Sequence, residues 1–265
     1  MDAGEYLERI AYTGPLDPTA ETLAGLHRAH MLAVPFENLD IHLGATNVLD
    51  PGHVYDKIVR RRRGGWCFEL NGLFALLLER LGFAVTRYSA AVVASDPPYP
   101  DFAHLTLRVD LERPWLCDVG FGDSFTLPIR LDEPGDQPVE GKTYRLERAG
   151  ERVTLSQDGR PQYAFELAPR ETHEFAGMCT YLQTSPGSFF TRSPICSLAT
   201  ENGRRSLSGM RLITTVDGVR SERQLAGEAE RAAVLRDLFG VDLGGAALLT
   251  DTDSGPAAAR ASSHP

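Results

Sequence analysis

Apolar positions recur at helical spacing through residues 1–83 and then, beyond Gly82, at every second position. In TAETLAGLHRAHMLAV, Leu23, Leu26, His27 and His30 fall near 3.6 spacing, with Thr19 or Thr22 available as the cap. Pro35, Gly44, Pro51 and Gly52 cut this half into short pieces, and DPGHVYDKIVRRR reads as a helix that opens at Asp50 or Pro51. The strongest pattern starts at Cys67: Leu70, Leu73, Phe74, Leu77, Leu78 and Leu81 form one apolar stripe, and Gly82 stands where a helix-terminating glycine belongs.

The second half alternates. FAVTRYSAAVV, HLTLRVDL, PWLCDVGF, KTYRLER, ERVTLSQ, QYAFEL, SLATENGRRSLSG and MRLITTVDG put apolar and polar residues on opposite faces, with Gly, Pro and Asp between the runs. They predict an antiparallel meander able to curl toward a barrel. QLAGEAERAAVLRDL at 224–238 returns to helical spacing, and DTDSGPAAARASSHP at 251–265 reads as a mobile tail.

Composition narrows the function. The chain has 265 residues, 42% of them hydrophobic, and a net charge of −9, so a nucleic-acid partner is not expected. MDAGEYLERIAYTG has acids where a secretory signal has basic residues, and no run of about 18 apolar residues occurs, so a cytosolic protein without membrane contact is expected. Cys67, Cys117, Cys179 and Cys196 are widely spaced with no CxxC pair, which predicts free thiols.

Of these, Cys67 alone has a chemical setting. It opens a helix behind RRRGG, where unpaired N–H groups, the positive dipole end and Arg61, Arg62 and Arg63 favour a thiolate unless acids cancel them. A nucleophilic thiolate needs a base, and the base needs an orienter. His27, His30 and His42 lie in the helical half, where a surface or capping role is expected; His53 belongs to a first helical turn, His173 to a loop and His264 to the tail. His104 opens HLTLRVDL on the face opposite Leu105, Leu107, Val109 and Leu111, and Asp118 ends the next strand. A turn centred on one residue puts both on one face, offset along the ladder, so contact is expected to need a bulge or a different turn. No metal is expected, because a zinc site of Cys67, His104 and Asp118 lacks a further thiol or imidazole at ligand spacing.

These residues carry a resemblance. RRGGWCFELNGLF, HLTL, DVGFG at 118–122 and PFENLDIHLG at 35–44 resemble an arylamine N-acetyltransferase, as do YLERIAYTG, TSPGSFFTRSPICSLATENGR and VLRDLFGVDL. The resemblance spans nearly the whole chain. It implies an α+β fold with a cysteine-proteinase-like core: a helical bundle over 1–83, an antiparallel β-barrel over 84–184 and an α/β lid over 185–250. It further implies acetyl-coenzyme A as donor substrate, with no tightly bound cofactor, and an aromatic amine or hydrazine as acceptor, while leaving homo-oligomerisation open. Carried over by motif, Cys67 is the acetylated nucleophile, His104 its base and Asp118 the orienter; Phe36, Phe121, Gly122 and Phe190 bind substrate, and Glu37 and Arg62 form a structural pair near the thiol. Ala103 stands where some relatives have a hydroxyl residue, so a donor contact at that spot is in doubt.

The reaction these residues support is ping-pong transfer through acetyl-Cys67, and the coenzyme's phosphates are expected to meet a glycine-rich turn or arginines, with Arg192, Arg204, Arg205 and Arg211 as candidates. Three other readings stay open: an amide synthase that closes a macrolactam with a chain delivered by an acyl carrier protein, a papain- or transglutaminase-like thiol enzyme, and a binding module without catalysis.

Overall fold

The computed structural model describes residues 1–248, and the tail expected over 251–265 lies outside them. Helices Ala3–Arg9, Ala20–Ala33 and Cys67–Arg80 enclose the first core, with Tyr6, Leu23, Leu26, Leu70, Leu73, Phe74, Leu77 and Leu78 all buried. Their ends follow local chemistry. Thr19 accepts the Thr22 N–H and Asp50 the His53 N–H, each satisfying a donor the first turn leaves open. The helix opened by Asp50 runs regularly over Pro51–Tyr55 and then widens to a π turn at Asp56–Arg60, a distortion the apolar period does not signal.

The fold is α+β. An eight-stranded antiparallel sheet runs, edge to edge, through Ile129–Arg130, Pro114–Cys117, His104–Asp110, Ala84–Val92, Arg160–Pro169, Arg152–Gln157, Lys142–Ala149 and Asp136–Val139. It curls until its edge strands meet. There the Gln137 side chain accepts the Arg130 N–H at 2.7 Å and donates to the Arg130 carbonyl at 2.8 Å, completing by side chain what a ladder would have supplied. The short strands Ile129–Arg130 and Asp136–Val139 have too few residues for a readable alternation, and helix Ala176–Thr184, within the span expected to be barrel, has no long apolar stripe.

A second antiparallel sheet orders Phe36–Glu37, Ile195–Thr200, Gly203–Ser208, Arg211–Val216 and Val219–Gln224. Helix Glu228–Phe239 covers it, burying Val234, Leu235 and Phe239 against Cys196, Leu207 and Leu212. The helix begins later than the pattern over 224–238 predicts, because residues through Gln224 belong to the edge strand. Strand Phe36–Glu37 comes from the helical half of the chain yet pairs with Ile195–Thr200, so the PFENL segment joins the two halves.

Candidate active site

The start of helix Cys67–Arg80 is held by its flanks. A Cβ on Gly64 would sit 2.1 Å from the Pro35 carbonyl, so no side chain is tolerated where the chain enters the turn. Glu69 reaches back to accept the Trp66 N–H at 3.2 Å, and Lys57 Nζ holds the same carboxylate at 3.0 Å.

Cys67 is buried in that turn. Burial pushes its thiol pKa well up, the Asp118 charge adds to this, and the Leu105 and Phe68 N–H groups pull the other way without prevailing. The condition attached to the expected arginine effect is the one the structure meets. Arg61 pairs with Asp56 at 2.9 Å and Arg63 with Glu37 at 2.8 Å and Asp40 at 2.7 Å, so acids cancel much of the positive charge that RRR brings to the thiol. The expected Glu37–Arg62 pair is corrected: Glu37 binds Arg63. Arg62 takes a left-handed conformation, φ 53°, its carbonyl accepts from Arg9 at 3.4 Å, and the turn brings the next guanidinium inward.

His104 and Asp118 are both buried, and His104 Nε2 lies 2.6 Å from Asp118 Oδ2. The register pairs Leu107 with Cys117 and Asp110 with Pro114, centring the turn on Glu112, with no shift along the ladder. One pair further, Thr106 would face Asp118, leaving His104 as its diagonal neighbour on the same face. No bulge is needed, since a side chain the length of imidazole spans that diagonal and strand Pro114–Cys117 has already ended.

Burial works against the Asp118 charge, yet His104, the Asn71 amide and the Gly120 N–H together hold its pKa below the ordinary aspartate value. Asn71 is the hub of this arrangement. Its Nδ2 donates to Asp118 Oδ1 at 2.8 Å and to the Leu105 carbonyl at 2.6 Å, while its Oδ1 accepts the Val119 N–H at 2.9 Å. Sequence reasoning passed over it, although a polar residue four positions after Cys67, on the same helix face, was the available signal.

Gly120 was missed as well. A Cβ there would lie 2.8 Å from Cys67 Cα and 3.0 Å from its carbonyl, and neither backbone can retreat. Gly120→Ala is expected to lower turnover by about 100-fold or more through displacement of Cys67; steady-state kinetics on the folded variant checks this.

Cys67 and His104 share the wall of a cavity of ≈ 840 Å³ with Phe36, Phe121, Gly122 and Phe190. Phe121 and Tyr163 flank the imidazole, with ring centroids at 5.1 Å and 4.9 Å. Gly122 has φ +85°, and its missing Cβ would lie 3.6 Å from the Phe36 ring. Arg192 is on this wall too. Arg204 is tied to Asp123 at 2.9 Å and to the Gly122 carbonyl, whereas Arg211 pairs with Glu222 at 3.4 Å, away from the cavity. Among the described residues no cluster of three His, Cys, Asp or Glu side chains is placed to hold a metal ion, and no helix is long and apolar enough to cross a membrane.

Comparison with known proteins decides the family. The N-acetyltransferase family model matches residues 19–248. An arylamine N-acetyltransferase of Mycolicibacterium smegmatis is 37% identical over 256 residues, covering 92% of this chain and 93% of that one. The chain belongs to the arylamine N-acetyltransferase family. A pineal gland relative from Gallus gallus is 39% identical over 239 residues, covering 80% of this chain and 82% of that one. Among solved structures, M. smegmatis arylamine N-acetyltransferase superposes with a TM-score of 0.86 at 35% identity, covering 92% of this chain and 93% of that one. The Mycobacterium marinum enzyme in complex with CoA gives 0.85 at 32% identity, covering 92% and 94%.

In this N-acetyltransferase His27, His30 and His42 depart from the surface or capping roles expected of them. His27, His30 and His42 are all buried. His30 Nδ1 meets the Tyr6 hydroxyl at 2.9 Å, and His42 Nε2 lies 3.0 Å from the Phe190 carbonyl. The apolar stripe of helix Ala20–Ala33 includes positions 27 and 30, so tertiary packing, not solvent, receives both rings.

Proposed function

We propose that the protein transfers the acetyl group of acetyl-CoA to the nitrogen of an aromatic amine or hydrazine through an acetyl-Cys67 intermediate. One observation carries the reading: a buried 2.6 Å His104–Asp118 bond that orients an imidazole lining the same cavity as Cys67. The Asp118 carboxylate accepts a hydrogen bond from Nε2–H, which keeps the proton on Nε2 and leaves Nδ1 as the ring nitrogen able to act as base. Burial makes the thiol a poor acid alone, so Cys67 reaches thiolate as its proton passes to Nδ1 and the imidazolium cancels the Asp118 charge.

The thiolate then attacks the thioester carbonyl, and the carbon–sulfur bond to coenzyme A breaks. CoA leaves with the proton held by His104. The amine attacks acetyl-Cys67, His104 accepts the nitrogen's proton, and Cys67 departs as thiolate to be reprotonated. The Cys67 N–H at the helix start is the candidate oxyanion donor. Phe36, Phe121 and Phe190 supply flat apolar walls suited to an aryl ring, and Gly122 lets it approach backbone. Arg192 is the candidate for the donor's phosphates, and the CoA complex of the M. marinum relative supports that donor.

Mixing the protein with acetyl-CoA is expected to add one acetyl group, at Cys67, by intact-mass and peptide mass spectrometry. His104→Ala should abolish the adduct, and an aniline or hydrazine should discharge it faster than water does. An unmodified Cys67 would sink the reading.

A further inference from the structure

We infer that His27 is a positioning residue for the reaction, holding the backbone of the loop that carries Asp118. The ring lies one layer behind the site, on helix Ala20–Ala33, fully buried and outside the cavity wall. Its Nε2 accepts the Asp118 N–H at 3.1 Å, and its Nδ1 lies 3.0 Å from the Thr126 carbonyl.

Those partners decide the tautomer. A backbone N–H can only donate, so Nε2 must be bare; a carbonyl can only accept, so Nδ1 must carry the proton. A single neutral imidazole satisfies both ends of the segment 118–126, which contains Asp118, Gly120, Phe121 and Gly122. Stacking fixes the ring's plane: Phe125 lies parallel at 5.6 Å and Phe74 edge-on at 6.0 Å. The ionisable groups facing it are Asp118 and, from its own helix, His30. Burial lowers the His27 pKa to about 4, so the tautomer persists across the neutral range.

The consequence is geometric. Asp118 reaches His104 at 2.6 Å from a chain that has already left its strand, so no ladder bond fixes the Asp118 backbone there. The His27 acceptor takes that place. Without it, the Asp118 N–H must find another partner by moving, and the carboxylate moves with it.

The inference rests on the reading of Asp118 as the orienter of His104, and two near-isosteric variants test it. In His27→Gln the amide oxygen falls near the Nε2 position and keeps the Asp118 bond; in His27→Asn the shorter amide keeps the Thr126 bond and loses the Asp118 bond. Cys67 alkylation by iodoacetamide is followed against pH, with steady-state acetyl transfer alongside. His27→Asn is expected to lower kcat by about 10–100-fold, with donor KM within about twofold, and to move the alkylation midpoint to higher pH. His27→Gln should stay within about threefold of the parent, with its midpoint unmoved. A packing role would shift melting temperature similarly in both and leave both pH profiles alone, and that result overturns the inference. Asp118→Asn in the same assays separates the two claims: if it is inactive while His27→Asn behaves as parent, His27 alone is misread; if it too is active, the reading of Asp118 fails.

Discussion

Asp118→Asn is expected to lower the rate of Cys67 acetylation by about 10³–10⁴-fold while leaving the fold intact, by analogy with the same change in serine triads. The effect follows from amide orientation. Oδ1 of residue 118 receives two donors, Asn71 Nδ2 at 2.8 Å and the Gly120 N–H at 3.0 Å. An asparagine amide must keep its oxygen toward them, which turns its NH₂ toward His104 Nε2. That nitrogen then has to accept, so the ring's proton moves to Nδ1 and the base that should receive the Cys67 proton is already occupied. Single-turnover acetylation measures the loss, and circular dichroism shows whether the fold persists. A variant within tenfold of the parent would remove Asp118 from the mechanism.

Lys57→Met is expected to give the largest stability loss, about 3–5 kcal/mol, because it strands buried carboxylates. Lys57 is 1% exposed, and its Nζ lies 2.8 Å from Asp40, 3.0 Å from Glu69 and 3.3 Å from Asn47. Burial alone would lower its pKa, but Glu69, Glu37 and Asp40 more than compensate and raise it. Glu69 also caps the helix that Cys67 begins, so the loss reaches the site: a Glu69 without its cation takes up a proton or shifts, and the Trp66 N–H loses its acceptor. Denaturant unfolding should show the drop, and adding Glu69→Met should return part of it, since removing both charges leaves less uncompensated. An unchanged unfolding midpoint for Lys57→Met would show that the network relaxes freely.

Much of this architecture can be read directly. The stripe from Leu70 to Leu81 and the terminating Gly82 mark helix Cys67–Arg80 because its apolar face meets a single core. The alternation in HLTLRVDL marks a strand for the same reason: one face meets that core, with Leu105, Leu107 and Val109 fully buried. Reading fails where the polar face is also covered. His104 and Thr106 sit on the nominal outer face, yet Phe121 and Tyr163 close over them, and alternation cannot distinguish a polar face in water from one roofed by another segment. The same limit hid His27, whose place on an apolar stripe looks alike whether it packs blandly or grips a distant loop.

Local pattern established the α+β class and the seat of Cys67 at a helix start, because both rest on contacts close along the chain, and the motifs RRGGWC and DVGFG carried the kinship. Charge balance and reach were decided in three dimensions. Arg63 rather than Arg62 meets Glu37, since a left-handed residue turns the chain there; the charge of Arg63 is met by Glu37 and Asp40 from a distant segment, while Arg61 is met by Asp56 one π turn earlier. Electrostatic energy depends on distance through space and on solvent exclusion, and neither is a function of spacing along the chain.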